Sequence, residues 1–224
     1  MFQGFSPRTV DFMWGIRFHN EKSWFEAHKE EYVRDFQRPL KALAEDTYAG
    51  FAPRHRDLNL NLHISRIYRD ARRLHGNGPY KDHLWFSLRR EREDWTVSPV
   101  FYFEITPESY GYGLGYYMAR PITMAKFRAR LDANPKPFAR LVHSLEKGPG
   151  FVLDAPAYKR PKGNPGPLLY PWYNSKGLSL SRDLPLDELL YSPALTDTLV
   201  RSYESLLPFY LYFLSLDGDP DPEP

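Results

Sequence analysis

Leu58-Asn59-Leu60-Asn61-Leu62-His63-Ile64-Ser65 decides the fold class. Apolar side chains take every second place from Leu58 to Ile64, and Asn59, Asn61, His63 and Ser65 fill the gaps. That two-residue period is the mark of a half-buried strand, and it extends towards Tyr68. Further strand candidates follow at residues 84–88, 97–105 and 109–118, with a short one at 177–181. Only Thr106-Pro107-Glu108 separates the third from the fourth, a link of hairpin length that favours antiparallel pairing.

Outward from this block the period changes to that of a helix. Ser6-Pro7 reads as a cap followed by proline at the first helical position, with Val10, Met13, Trp14 and Arg17 at helical spacing. Asn20 is the expected cap of a second helix that buries Trp24, Phe25, Tyr32 and Phe36, and Pro39 kinks or restarts it. Helix signals return at residues 123–131 and 135–145, the latter capped by Asn134, and Ser192-Pro193 opens a last helix reaching about Leu214 with Leu195, Leu199, Tyr203 and Leu206 inward. Residues 149–176 are rich in proline and glycine and read as loop. The expectation is α+β: a central, mainly antiparallel sheet with helices packed on it, N-terminal helices and a C-terminal helix. Residues 1–216 are expected to form a single α+β domain, with 217–224 as an acidic disordered tail.

Composition narrows the function classes. Of the 224 residues 42% are hydrophobic, and proline with glycine stays below the roughly 25–30% that marks low-complexity disorder. There is no cysteine, which excludes a disulfide framework, a thiolate metal site and a cysteine nucleophile. The longest apolar run near the C-terminus, residues 206–214, is far short of the about 20 residues that span a bilayer. A cytoplasmic protein with no membrane association is therefore expected. The formal net charge is only +2, yet the last eight residues carry four acids and no base. Between Arg54 and Arg92 ten basic residues face four acidic ones, a local +6.

The basic residues gather in Ser65-Arg66-Ile67-Tyr68-Arg69-Asp70-Ala71-Arg72-Arg73, followed by Gly76-Asn77-Gly78-Pro79-Tyr80-Lys81. On an extended segment Arg66, Tyr68 and Asp70 share one face and Arg69 points opposite with Ile67 and Ala71. Guanidinium groups are planar forks matched to carboxylate and phosphate oxygens, so several converging on one cleft would recognise an anion. The alternative is that Asp70 pairs with one arginine while the rest are solvated. Lys159-Arg160-Pro161-Lys162-Gly163 is a second basic cluster, stiffened by proline, whose weight depends on its folding over the first. Gly111, Gly113 and Gly115 alternate with tyrosine and leucine, baring one strand face for close approach of another element. His63, His75 and His83 lack metal-type spacing, so no metal and no cofactor is expected. Asp70 with His75, or His83 near Lys81, could serve as an acid or base, against the simpler reading of solvated histidines.

Taken together, Phe2-x-Gly4-Phe5, Asn20-x-x-x-Trp24-Phe25, Arg66-x-x-Arg69-Asp70-x-Arg72 with Pro79-Tyr80-Lys81, Gly113-x-Gly115, and Lys159-Arg160 ahead of Pro161 and Gly163 are distinctive. The chain resembles, over about residues 2–215, a widespread and mostly bacterial family of conserved hypothetical proteins known as domain of unknown function twenty-four sixty-one. The resemblance implies a single cytosolic domain and brings no established activity, cofactor or partner. This chain departs from the family pattern in having Arg73-Leu74 for Phe-Ser and Gly76-Asn77 for Asp-Lys, and His19 for a second asparagine. The basic positions survive, which favours anion binding over acid catalysis.

The leading expectation is a site for a phosphate-bearing or other anionic small ligand, formed by Arg66, Arg69, Asp70, Arg72, Tyr80, Lys81, Lys159, Arg160 and Lys162, with turnover left open. Two alternatives stand beside it: a nucleic-acid-binding module, in which arginine and tyrosine serve the backbone and the bases, and a non-catalytic interaction or scaffold protein whose charges form a salt-bridged rim.

Overall fold

The structure, a computed structural model, describes residues 1–70, 78–91, 94–145, 148 and 150–222. Six strands form one antiparallel sheet in the order β1-β2-β3-β4-β6-β5. They are β1 Leu60–Ile64, β2 Leu84–Arg90, β3 Pro99–Ile105, β4 Ser109–Tyr116, β5 Val152–Leu153 and β6 Ser179–Pro185. The first four follow one another in order across the sheet; the chain then leaves through helices, lays β5 at the far edge and returns along β6. Val152 lies opposite Ser181 and Leu153 opposite Leu180. The α+β architecture with N-terminal helices and a C-terminal helix is thus the one read from the periodicity.

The alternation that opens the sheet starts later than its sequence pattern. Leu58 closes a 3-10 turn and Asn59 takes a left-handed conformation with φ of 50°, so the strand begins at Leu60. Asparagine tolerates that region better than other side-chain-bearing residues. α1 Pro7–Phe18 opens on proline after an extended Ser6, as expected. The second helix differs: Glu21 stands at the cap position of α2 Lys22–Ala27, and Asn20 is used elsewhere. After α3 Lys29–Glu31, a π-helical segment Tyr32–Gln37 leads into α4 Arg38–Phe51, with Pro39 in its first turn. Proline lacks the N–H that would continue the ladder, so the helix restarts there. Beyond β4 come α5 Pro121–Ala133, α6 Lys136–Leu145, α7 Tyr170–Tyr173 and α8 Ala194–Ser215.

The chain divides into two compact units. The first comprises residues 1–88, 102–112 and 183–201, and the second residues 89–101, 113–182 and 202–224. Inside the first, Phe12 meets Trp24, Tyr32 and Phe36, while Phe103 stacks with Phe5 and Phe86. Inside the second, Phe138 is the hub, in contact with Phe127, Trp172, Phe209, Tyr212 and Phe213. A fully buried phenylalanine with this many aromatic neighbours contributes several kcal/mol through burial and ring geometry.

Two details of the second unit bear on its sequence. The bare glycine face accommodates backbone: a Cβ at Gly113 would fall onto the Leu180 carbonyl, and one at Gly115 onto Ser179. The acidic end is engaged as far as it is described, with Asp219 paired to Arg130 and Asp221 to Lys126, both on α5.

Candidate functional site

In the first unit the chain between β1 and β2 brings the two halves of the arginine motif together. Tyr68 and Tyr80 form an antiparallel bridge, the Arg69 N–H donates to the Pro79 carbonyl at 2.8 Å, and the Lys81 N–H donates to the Ile67 carbonyl at 2.7 Å. Asn20 locks this ladder from outside. Its Oδ1 accepts from the Tyr80 N–H and its Nδ2 donates to the Tyr80 carbonyl, each at 2.9 Å, in imitation of a third strand. A Cβ at Gly78 would collide with the Asn20 side chain, so glycine is required beside the lock. Phe25 stacks on Tyr80 with ring centres 4.3 Å apart, and Tyr80 is only 3% exposed. The phenol of Tyr80 is raised by burial first and then by Tyr68 and Glu26. Its ring therefore serves the core.

The side chains follow the face alternation expected of an extended segment. Arg66 and Tyr68 are exposed, the latter at 47%, whereas Ile67 is buried and Arg69 turns inward. Arg69 Nε donates to the Tyr80 carbonyl at 2.8 Å, and its Nη2 lies 3.7 Å from Asp82. Asp82 also accepts from Arg17 Nε at 2.5 Å and bonds His83 Nδ1 at 2.9 Å. Arg17 completes its fork on Glu108. Burial works against the Asp82 charge, but the hydrogen bonds from His83 and Arg17 prevail and hold its carboxyl below the usual range. His83 Nε2 faces Glu104 at 3.8 Å. Burial, then the charges of Asp183 and Asp82, raise Glu104 against the opposing pull of His83 and Lys81.

Lys81 lies outside this set of ion pairs. Its Nζ donates to the Arg66 carbonyl at 2.8 Å. Burial, then the charges of Arg66 and Arg69, push its ammonium below the usual lysine range, with Glu104 opposing. Half-buried Lys81 thus feels the like charge of exposed Arg66, while the part-exposed Tyr68 ring rests against Phe25 and Tyr80. Such an arrangement can accept an anion's oxygens and a planar group. Asp70 is half-buried in the same segment, while Arg72 and His75 lie outside the described residues.

The second basic cluster belongs to the other unit. Lys159, Arg160 and Lys162 are all exposed, on a loop pinned by the buried Asn174. Asn174 Oδ1 accepts from the Lys162 N–H at 2.6 Å and from the Gly163 N–H at 3.4 Å, and its Nδ2 donates to the Gly163 and Tyr170 carbonyls. Gly163 packs so closely on the Tyr173 ring that a Cβ there would overlap it. The loop that the proline content suggested is stiffened as much by this single asparagine.

Sequence reasoning missed Arg17, Asp82, Glu104 and Glu108, because their pairing joins segments far apart in the chain and no local spacing announces it. Among the described residues no group of three or more His, Asp or Glu could hold a metal ion, and no helix is long and apolar enough to cross a membrane. A family model described as conserved hypothetical protein, DUF2461, matches residues 8–212. No curated protein matches the chain. The chain belongs to that conserved hypothetical family.

Proposed function

We propose that this DUF2461 member binds a phosphate-bearing or other anionic small ligand at the ladder between β1 and β2, through Arg66 and Lys81, with Tyr68 against a planar part of the ligand. The observation that carries this reading is the placement of Lys81: its amine sits 2.8 Å from the Arg66 carbonyl, half-buried in the charges of Arg66 and Arg69. An anion there relieves repulsion that Glu104 only partly offsets. Arg69, Asp82 and Arg17 are positioning residues in this scheme, because their polar groups already have protein partners. Whether the bound ligand is turned over is a separate matter; Asp82 orients His83, and His83 Nε2 is the one ring nitrogen turned towards Glu104.

Ligand-dependent melting with nucleotides and sugar phosphates tests the reading. A ligand in hundredfold excess over its Kd adds about 2.7 kcal/mol, or roughly 5–10 °C for a chain of this size. We expect such a shift for wild type and its loss in Arg66→Ala and Lys81→Met; no shift with any ligand overturns the reading. The exposed pairing of Tyr68 with Arg66 also suits single-stranded nucleic acid. That second reading requires oligonucleotide binding that weakens steeply with salt.

A further inference from the structure

We infer that the second unit carries an anion site of its own, built by Arg128 of α5 and Lys162 of the pinned loop around Tyr158, and suited to a phosphate or diphosphate group. This inference does not rest on the Arg66–Lys81 reading, since it uses different residues in a different unit.

The first observation is an orphan. Arg128 Nη1 is buried and has no hydrogen-bond partner among the described residues. Buried guanidinium donors are nearly always satisfied, and one left unmade is costly. The second is convergence: Arg128 Cζ lies 5.7 Å from the centre of the Tyr158 ring and Lys162 Nζ lies 5.0 Å from the same centre. One aromatic ring therefore gathers a forked cation and a point cation, the two donor types that share the oxygens of a phosphate.

The third is the fate of the nearest carboxylate. Asp132 stands four residues after Arg128 on α5, the spacing at which opposite charges pair along a helix. It accepts instead from the Tyr173 hydroxyl at 2.9 Å, and Arg128 has no carboxylate partner among the described residues. Tyr173 also receives Gly163, so the phenol that occupies Asp132 is the one the loop packs on. Asn174 in turn fixes the Lys162 backbone, which lowers the ordering cost of holding its ammonium near the ring. Lys159 and Arg160, exposed on the same loop, add positive potential at its rim.

The test is a titration of the full-length, isotope-labelled protein with inorganic pyrophosphate and, separately, with adenosine diphosphate, followed by the Arg128 Nε–H and Tyr158 ring resonances. Both sets of signals are expected to move together in wild type and in Arg66→Ala. In Lys162→Ala the affinity is expected to fall about tenfold, and in Arg128→Met the Tyr158 response is expected to vanish. Lys162 is exposed, so its truncation leaves the fold intact as a control for the helix variant. Tighter binding of one ligand over the other identifies whether the site takes the free anion or an ester. Static Arg128 and Tyr158 signals, a response undiminished in Lys162→Ala, or a response abolished by Arg66→Ala would each overturn the inference. A response confined to residues 66–81 would do so while sparing the proposed function.

Discussion

Arg69 and Arg128 carry the same side chain and meet opposite fates. Arg69, in the densest arginine motif of the chain, spends its donors on the Tyr80 carbonyl and on Asp82. Arg128, on α5 between Lys126 and Arg130, keeps a buried Nη1 with no acceptor among the described residues. A count of cations along the sequence ranks the first region far above the second. Looking for partners changes that ranking, because a guanidinium already engaged by its own protein is framework. In the first unit the proposed site accordingly rests on Arg66 and Lys81, at the edge of the motif.

The largest effect should come from breaking the lock that holds the saturated region. Asn20→Ala strips two hydrogen bonds from the Tyr80 backbone and is expected to cost about 2–4 kcal/mol in urea unfolding. A loss below about 1 kcal/mol would mean the ladder stands without it. Next comes Asp82→Asn, which removes the charge shared by Arg17, Arg69 and His83 and is expected to cost about 1–3 kcal/mol at neutral pH. Because the folded state lowers the Asp82 pKa, its contribution is complete above the unfolded value near 4 and is lost as pH falls through the folded one. Wild type should therefore lose stability on acidification below about pH 4, and Asp82→Asn should show a flatter acid limb.

The smallest effect belongs to Lys81→Met. The ammonium it removes is already disfavoured in the folded state, so the loss at neutral pH is expected to stay under about 1 kcal/mol. A lysine with a lowered folded pKa gives up its proton sooner than the unfolded chain does. Wild type accordingly gains stability as pH rises towards the unfolded lysine value near 10, and Lys81→Met should lack that gain. Paired denaturation curves at neutral and alkaline pH would show it.

Much of the architecture was legible because it is periodic. The alternation from Leu60, the hairpin at Thr106-Pro107-Glu108 and the long apolar stripe of α8 all announce themselves within a few residues. What escaped is short or non-local. β5 has two residues and α7 four, too few for any period, and both fall in the segment that reads as loop. Asn20 has the chemistry of a helix cap and stands where one is needed, yet it bonds a backbone sixty residues away, and the adjoining Gly78 gives the only local hint. Of the proposed site, Arg66 and Lys81 belong to the set read from the sequence and Tyr68 does not, while the sorting of arginines into frame and free donor depends on Asp82, Glu108 and Asp132, whose partners only the fold selects.

On this view engagement by the protein's own acceptors, and not arginine density, separates a framework arginine from one open to a ligand. Its most direct test is the unfolding free energy of ligand-free Arg69→Met and Arg128→Met, each measured against wild type in phosphate-free buffer. The expected result is a loss of about 1–2 kcal/mol for Arg69→Met and a change within about 0.5 kcal/mol, or a gain, for Arg128→Met. Equal losses, or a larger loss at Arg128, would contradict the account.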